Sequence, residues 1–245
     1  IRCAQQDPVC ETYWSAPVPE TYDVAFATTA GPFVIHVNTS WAPPMASRFY
    51  LLSKLRYFDG SPFYRVLKRQ DIKRQFVSQF GYRAVPPVDQ AWIDLQTSNV
   101  TYGVKPGGNA RGTVVFGTGA VNNSGGNPNC TASSCSQGFS VEIYINLQDN
   151  PHLDSSDFSP FGWINADDME AVDTLYAGYG ECTDICGTLP PTQATSVFCS
   201  WDAQQHAYRG VNLTRMIQDG DAYLHQGFNK LDYVESAKLL PFDEE

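Results

Sequence analysis

The cysteines are the residues whose spacing first suggests chemistry. Cys182 and Cys186 stand in a C-x₃-C spacing with Cys199 and His206 downstream, which superficially resembles a zinc site. Structural zinc needs reduced thiolates, whereas close cysteine pairs in Gly-, Pro-, Asn- and Ser-rich stretches are typical of disulfides. We therefore predict disulfides and no metal or other cofactor. The seven cysteines assigned to disulfides are Cys3, Cys10, Cys130, Cys135, Cys182, Cys186 and Cys199.

An odd number of cysteines leaves one thiol that is either free or linked to another chain. Local bridges are expected between Cys3 and Cys10 and between Cys130 and Cys135, and the remaining pairing stays open. The chain also carries N-glycosylation sequons, which are used only in the secretory pathway. The five sequon asparagines are Asn38, Asn99, Asn122, Asn129 and Asn212. Cysteines and sequons together predict a secreted or secretory-lumen glycoprotein.

Composition excludes several classes of protein. The 245 residues are 42% hydrophobic and 17% charged, which indicates a folded chain rather than a disordered one. The net charge of −10 makes nucleic acid a poor partner, because nucleic-acid binding needs clustered cations. The sequence contains no run of eighteen apolar residues, the length that a membrane-spanning helix needs. The G-x-S-x-G motif of hydrolases and the Walker phosphate loop are also absent.

Short alternating runs punctuated by Gly and Pro predict a mainly β protein. The predicted strands are Tyr22–Ala27, Phe33–Val37, Phe63–Leu67, Phe76–Phe80, Thr113–Gly117, Glu142–Leu147, Phe161–Ile164 and Leu231–Val234. Two helices are predicted, over 43–55 and 166–177, from apolar residues at helical spacing. This pattern favours a closed, antiparallel, eight-stranded β-barrel with two capping helices and long disulfide-stapled loops.

The chain divides into an N-terminal arm, a large domain and a short tail. The arm covers 1–21, the domain 22–240 and the tail 241–245. Insertions are expected near 68–74, 118–140 and 178–222, since long loops are usually functional or stapled. The first insertion holds a basic cluster with Arg65, which either docks an acidic partner or is simply a solvated loop.

The order of these segments resembles the cyclophilin family of peptidyl-prolyl isomerases. The resemblance runs from the hairpin Phe26–Ile35 through Phe58–Val66 and Phe76–Gly81. It continues through Gly112–Phe116, Glu142–Asn150, Leu153-Asp154 and Phe158–Gly162, and covers roughly residues 22–240. Each motif alone is weak, whereas the ordered set is specific. The family implies an enzyme that acts on X–Pro bonds, here of secreted or lumenal proteins, without a cofactor.

The resemblance also implies the site. Arg65 would be the catalytic arginine, with Phe76 and Gln79 completing the catalytic set. The residues implied for substrate binding are Val77, Gly117, Glu142, Tyr144, His152, Leu153 and Phe158. Strand alternation independently places Glu142 and Tyr144 on one face and the intervening isoleucines on the other.

Departures from the family pattern leave a second interpretation of the function open. Eleven positions separate Arg65 from Phe76, where the family has about five, and Glu142 replaces a common glutamine. A carboxylate near Arg65 would compete with substrate. The alternative is therefore a catalytically weakened module that binds proline segments or serves as a structural component, with other chains of an extracellular assembly as partners.

Overall fold

The described part of the chain is dominated by one antiparallel β-sheet that curls into a half-barrel. The computed structural model describes residues 17–68, 77–95, 107–120, 137–154, 158–180 and 210–241. Its eight strands are β1 Thr21–Thr28, β2 Phe33–Asn38, β3 Arg65–Val66, β4 Val77–Phe80, β5 Thr113–Ala120, β6 Gln137–Asn146, β7 Pro160–Trp163 and β8 Val234–Leu239. They lie in the order β3-β4-β6-β5-β7-β2-β1-β8. The predicted mainly β class and the eight antiparallel strands are confirmed.

The two outermost strands of the sheet, β3 and β8, approach each other only at their ends. Pro62, just before β3, forms an isolated antiparallel bridge with Tyr233, just before β8. Backbone hydrogen bonds from Phe63 N to Asp232 O (2.8 Å) and from Val234 N to Ser61 O (2.9 Å) accompany it. A third bond, from Gly60 N to Val234 O (2.7 Å), lies beside them. Within the described ranges β3 and β8 do not pair along their length, so the fully closed barrel stays a prediction.

The last strand begins later than the sequence indicates. We expected it over Leu231–Val234, and this was wrong, because β8 covers Val234–Leu239 and pairs with β1. Asp232 explains the shift. One of its carboxylate oxygens accepts a hydrogen bond from Thr29 Oγ1 (2.7 Å) and the other accepts one from Tyr176 N (2.7 Å). These distant contacts hold residue 232 in an irregular segment ahead of the strand.

More helices are present than the two that were predicted. In the described residues they are α1 Pro43–Lys54, α2 Pro86–Ile93, α3 Met169–Thr174, α4 Leu213–Asp219 and α5 Asp221–Leu224, with a 3₁₀ turn at Pro151–Leu153. The helices α1 and α3 match the two predictions, whereas α4 and the first residues of α5 fall inside the predicted loop 178–222. No helix of the described ranges could cross a membrane.

The missed helix α2 is held by a buried carboxylate. Its first residues are Pro86 and Pro87, which fit a helix start because the N–H that proline lacks has no partner there. Asp89 is fully buried and accepts hydrogen bonds from Val85 N (3.1 Å), Arg83 N (2.9 Å) and the Tyr57 hydroxyl (2.9 Å). Burial raises the pKa of Asp89, although these three donors oppose that shift.

The curled sheet separates two apolar clusters. The inner face carries the main core, in which the Phe26 ring lies 5.1 Å from Phe33, 5.7 Å from Phe80 and 6.3 Å from Phe49, centroid to centroid. A smaller cluster, the outer cluster, is formed by Leu67, Val77, Val115, Tyr144 and Leu153. Successive strand residues point to opposite faces, so the same strands supply both clusters.

Candidate active site

Strand register brings the predicted arginine and glutamine together. Arg65 on β3 lies directly opposite Gln79 on β4, and Gln79 lies opposite Tyr144 on β6. Directly paired residues share a face, so all three side chains stand on the face of the outer cluster. Ile143 and Ile145 alternate with them and are fully buried in the main core.

The Gln79 amide joins a cation to an anion. Arg65 Nη1 donates a hydrogen bond to Gln79 Oε1 (2.6 Å), and Gln79 Nε2 donates one to Glu142 Oε1 (2.8 Å). Both bonds have a charged partner, which makes them stronger than bonds between neutral groups. We call Arg65, Gln79 and Glu142 the relay. It fixes the orientation of the amide and, through it, one edge of the guanidinium.

The carboxyl end of the relay lies in a dry, aromatic environment. Burial raises the pKa of Glu142, whereas the Tyr64 hydroxyl and the Arg65 guanidinium lower it. Desolvation is the largest of these effects, so the net direction is upward. Tyr64 and Tyr82 face the same carboxylate, and burial followed by the charge of Glu142 raises the pKa of each phenol.

The outer cluster forms an apolar surface beside the relay. Val77, Tyr144 and Leu153 are each at most 5% exposed. The Phe158 ring packs edge-on against Tyr144, with centroids 5.8 Å apart and an interplanar angle of 71°. Such T-shaped pairs stabilise the arrangement of two rings beyond simple burial. The cluster is therefore a rigid wall rather than a loose patch.

Two members of the relay, Gln79 and Glu142, meet the wall in an open cavity of about 120 Å³, whereas Arg65 is not among the described residues that line it. Its apolar end is formed by Val77, Tyr144, Leu153 and Phe158, and its polar end by Gln79, Gly117, Thr118 and Glu142. A cavity of this size with an apolar wall and a charge-bearing rim is suited to a small ring attached to a polar backbone.

Comparison with known proteins agrees with this geometry. The family model described as "Cyclophilin type peptidyl-prolyl cis-trans isomerase/CLD" matches residues 23–185. The chain belongs to the cyclophilin family. The match covers most of the sheet and every described residue of the cavity.

Solved cyclophilin structures align with most of this chain at low sequence identity. The Mimivirus cyclophilin aligns with 91% of this chain and 91% of its own, at 11% identity and a TM-score of 0.51. A cyclophilin type isomerase of Cryptosporidium parvum covers 90% of this chain and 98% of its own, at 14% identity and a TM-score of 0.47. No curated protein matches the sequence.

Gly117 gives this cyclophilin the space for its glutamate. A Cβ atom at position 117 would lie 2.9 Å from Glu142 Cγ and 3.0 Å from Cδ, closer than packed carbons approach. The register of β5 against β6 shifts between Phe116 and Thr118, as in a β-bulge. The shift places Thr118 on the cavity, a residue that the sequence analysis did not predict. A glycine within a strand is typical of a bulge, but it does not specify which residues the shift turns towards the cavity.

An asparagine that the sequence analysis also missed holds the wall in place. Asn109 is 2% exposed and bonds to Asp154 Oδ1 through both its backbone N (2.7 Å) and its Nδ2 (2.8 Å). Its Nδ2 also donates to Phe158 O (3.2 Å), and its Oδ1 accepts from Asn146 Nδ2 (3.3 Å). Asn109 thereby joins β6 to the segments that carry Leu153 and Phe158. The only sequence signal was the Gly107-Gly108 turn before it.

Not every implied site residue lies on the cavity. His152 is exposed on the 3₁₀ turn and does not contribute to the cavity lining of the described residues. Phe76 lies outside the described residues, as do all seven cysteines and the sequons at Asn99, Asn122 and Asn129.

The two described sequons have different settings. Asn38 ends β2, and its Oδ1 accepts hydrogen bonds from Ser40 N (3.0 Å) and Ser40 Oγ (2.6 Å). Asn212 is the N-cap of α4 and accepts from Arg215 N (3.1 Å). Among described residues, no three His, Cys, Asp or Glu side chains cluster as metal ligands.

Proposed function

We propose that this cyclophilin catalyses cis–trans isomerisation of X–Pro bonds in other polypeptides. One observation carries the proposal. The Arg65 guanidinium, which is hydrogen-bonded to Gln79, lies on the same face of the sheet as the cavity with the apolar wall. Gln79 also lines that cavity. The other site roles implied by resemblance, including that of Phe76, belong to the same proposal.

Catalysis of X–Pro isomerisation needs only a few protein side chains. Rotation about a peptide bond is opposed by about 18–20 kcal/mol, because the C–N bond has partial double-bond character. In the twisted amide the prolyl nitrogen regains a lone pair that can accept a hydrogen bond. A donor aimed at this nitrogen stabilises the twisted state over both planar states, which is the condition for catalysis. The always-charged guanidinium of Arg65 suits this task.

The cavity would hold the proline ring. Its volume of about 120 Å³ is close to that of engineered apolar cavities, about 150 Å³, that bind benzene. Val77, Tyr144, Leu153 and Phe158 would contact the ring, while Gln79 would both orient Arg65 and face the substrate backbone. No covalent step and no cofactor is needed. We propose a secreted or lumenal location for the substrates on the strength of the sequons and cysteines alone.

Isomerase activity is tested by following the cis-to-trans conversion of an Ala-Pro-Phe peptide with NMR exchange or a protease-coupled assay. Wild type should accelerate the conversion, and Arg65→Ala should lower kcat/KM by about 10- to 100-fold, the effect of losing a charge-assisted hydrogen bond of about 1.5–3 kcal/mol. Arg215→Ala on α4 removes the same charge away from the cavity and should stay within about twofold of wild type. A wild-type rate equal to the uncatalysed rate would overturn the proposal.

A second candidate function is binding of proline segments without turnover. It is favoured by the relay itself, because both polar groups of Gln79 are already engaged by Arg65 and Glu142. A substrate must then displace one of these bonds, which slows catalysis without preventing binding. Saturable binding of the same peptide with no rate enhancement would select this function, in which the partner is a proline segment of an extracellular assembly.

A further inference from the structure

The polar end of the cavity carries a carboxyl group, Glu142, that forms no ion pair with a Lys or Arg of the described residues. Among the described residues, no Lys or Arg nitrogen lies within 4 Å of the Glu142 carboxylate, and Gln79 stands between it and Arg65 with a hydrogen bond to each. A carboxylate at the rim of a partly desolvated cavity attracts cations more strongly than one in open water. The cavity therefore offers a place for a positive charge next to the apolar end.

Gly117 leaves this carboxylate accessible from the cavity. A Cβ at position 117 would lie 3.3 Å from Glu142 Oε2 and would cover or displace the carboxylate. Both residues line the cavity, and Thr118 beside them is half-buried. A substrate side chain adjacent to the proline can thus approach the carboxylate over the backbone of β5.

We infer that this site prefers proline segments carrying Lys or Arg within two residues of the proline and disfavours segments carrying Asp or Glu there. The inference rests on the proposed function, since it takes the apolar end as the seat of the proline ring. Glu142 is the specificity-determining residue. Arg65 repels the same cation, but the Gln79 amide separates Arg65 from Glu142, so the nearer carboxylate dominates at the polar end.

The test compares peptides that differ only in one residue, Lys, Ala or Glu, placed in turn at the first and second positions on either side of the proline. Both kcat/KM and the equilibrium Kd by NMR titration are measured at about pH 8 for wild type and Glu142→Gln. In wild type, we expect kcat/KM to be about tenfold higher, and Kd about tenfold lower, for the Lys peptide than for the Glu peptide on the favoured side. In Glu142→Gln both ratios should be near one. Glu235→Gln on β8 makes the same change of net charge on an exposed residue and should keep the wild-type ratio.

The outcomes separate the two claims. A wild type that turns over no peptide sinks the isomerase function, while the Kd ratio still measures the charge preference. A wild-type ratio near one, or a ratio unchanged by Glu142→Gln, overturns the inference and leaves the isomerase function standing. If Glu142→Gln does not fold, the salt dependence of the wild-type ratio decides, because an electrostatic preference must shrink as about 0.5 M salt is added.

Discussion

Replacing Gln79 by Leu removes the centre of the relay and keeps a side chain of similar size. The change deletes the acceptor of the 2.6 Å bond from Arg65 and the donor of the 2.8 Å bond to Glu142. Arg65 then loses one of the contacts that orient its guanidinium, and the carboxylate loses a neutral donor in a dry environment. We expect both the stability and the activity to fall.

The magnitude follows from the two lost bonds. A hydrogen bond to a charged group contributes about 1.5–3 kcal/mol when buried, and the half-buried Gln79 lets water replace part of that. The free energy of unfolding should therefore fall by about 1–3 kcal/mol. If fixing Arg65 contributes about 1.4–2.8 kcal/mol to the transition state, kcat/KM falls by about 10- to 100-fold.

The assay pairs urea unfolding with the peptide isomerisation rate. Gln90→Leu is the matched control, because Gln90 is exposed on α2 and its amide bonds only along the helix, to Asp94 Oδ1 (2.8 Å). This control should change stability by less than about 0.5 kcal/mol and leave the rate unchanged. If Gln79→Leu keeps kcat/KM within about twofold of wild type, the relay does not position Arg65 and the reasoning fails.

Three further predictions concern buried groups. Because burial raises the pKa of Glu142, its protonation stabilises the fold fully below about pH 4.3, and this contribution is lost as pH rises through the folded pKa. In urea titrations Glu142→Gln should therefore gain stability relative to wild type towards pH 8. Tyr64 and Tyr82, whose pKa values are raised, stay neutral over this range. Asp89→Asn should lower the free energy of unfolding by about 1–3 kcal/mol, because the new side-chain NH₂ would face the Val85 backbone N–H and both are donors. An unchanged urea midpoint contradicts this. Tyr144→Ala should lower the free energy of unfolding by about 3–5 kcal/mol and weaken peptide binding. Tyr144→Phe should stay within about 0.5 kcal/mol of wild type, because the bond that the Tyr144 hydroxyl donates to Asn109 Oδ1 is long, 3.5 Å. Equal effects of the two changes would refute this prediction.

Local patterns in the sequence were enough to predict most of the sheet. Alternation along residues 142–147 placed Tyr144 and Ile143 on opposite faces, and the structure has Ile143 fully buried in the main core. The two prolines at residues 43 and 44 marked the start of α1. These signals are local, because a strand or helix turns each residue to a face that depends only on its neighbours.

Contacts between distant segments could not be predicted in the same way. The relay depends on the register of β4 against β6, which no stretch of either strand specifies alone. Asn109 lies 45 positions from Asp154 and 49 from Phe158, and nothing in its neighbourhood indicates those partners. Asp232 likewise reaches Thr29 over 203 positions, and this contact moved the start of β8.

The separation of the two apolar clusters has a consequence for how this protein can diverge. The residues that we propose to contact a bound peptide alternate along β4 and β6 with residues of the main core, and the two sets belong to separate apolar clusters. Changes at the outward-facing positions can therefore leave the packing of the main core in place, provided that buried members of the outer cluster such as Tyr144 keep their size. Substrate preference can drift between lineages while the phenylalanine-rich interior stays the same, so ancestry is better traced from the inside of the sheet than from its binding surface.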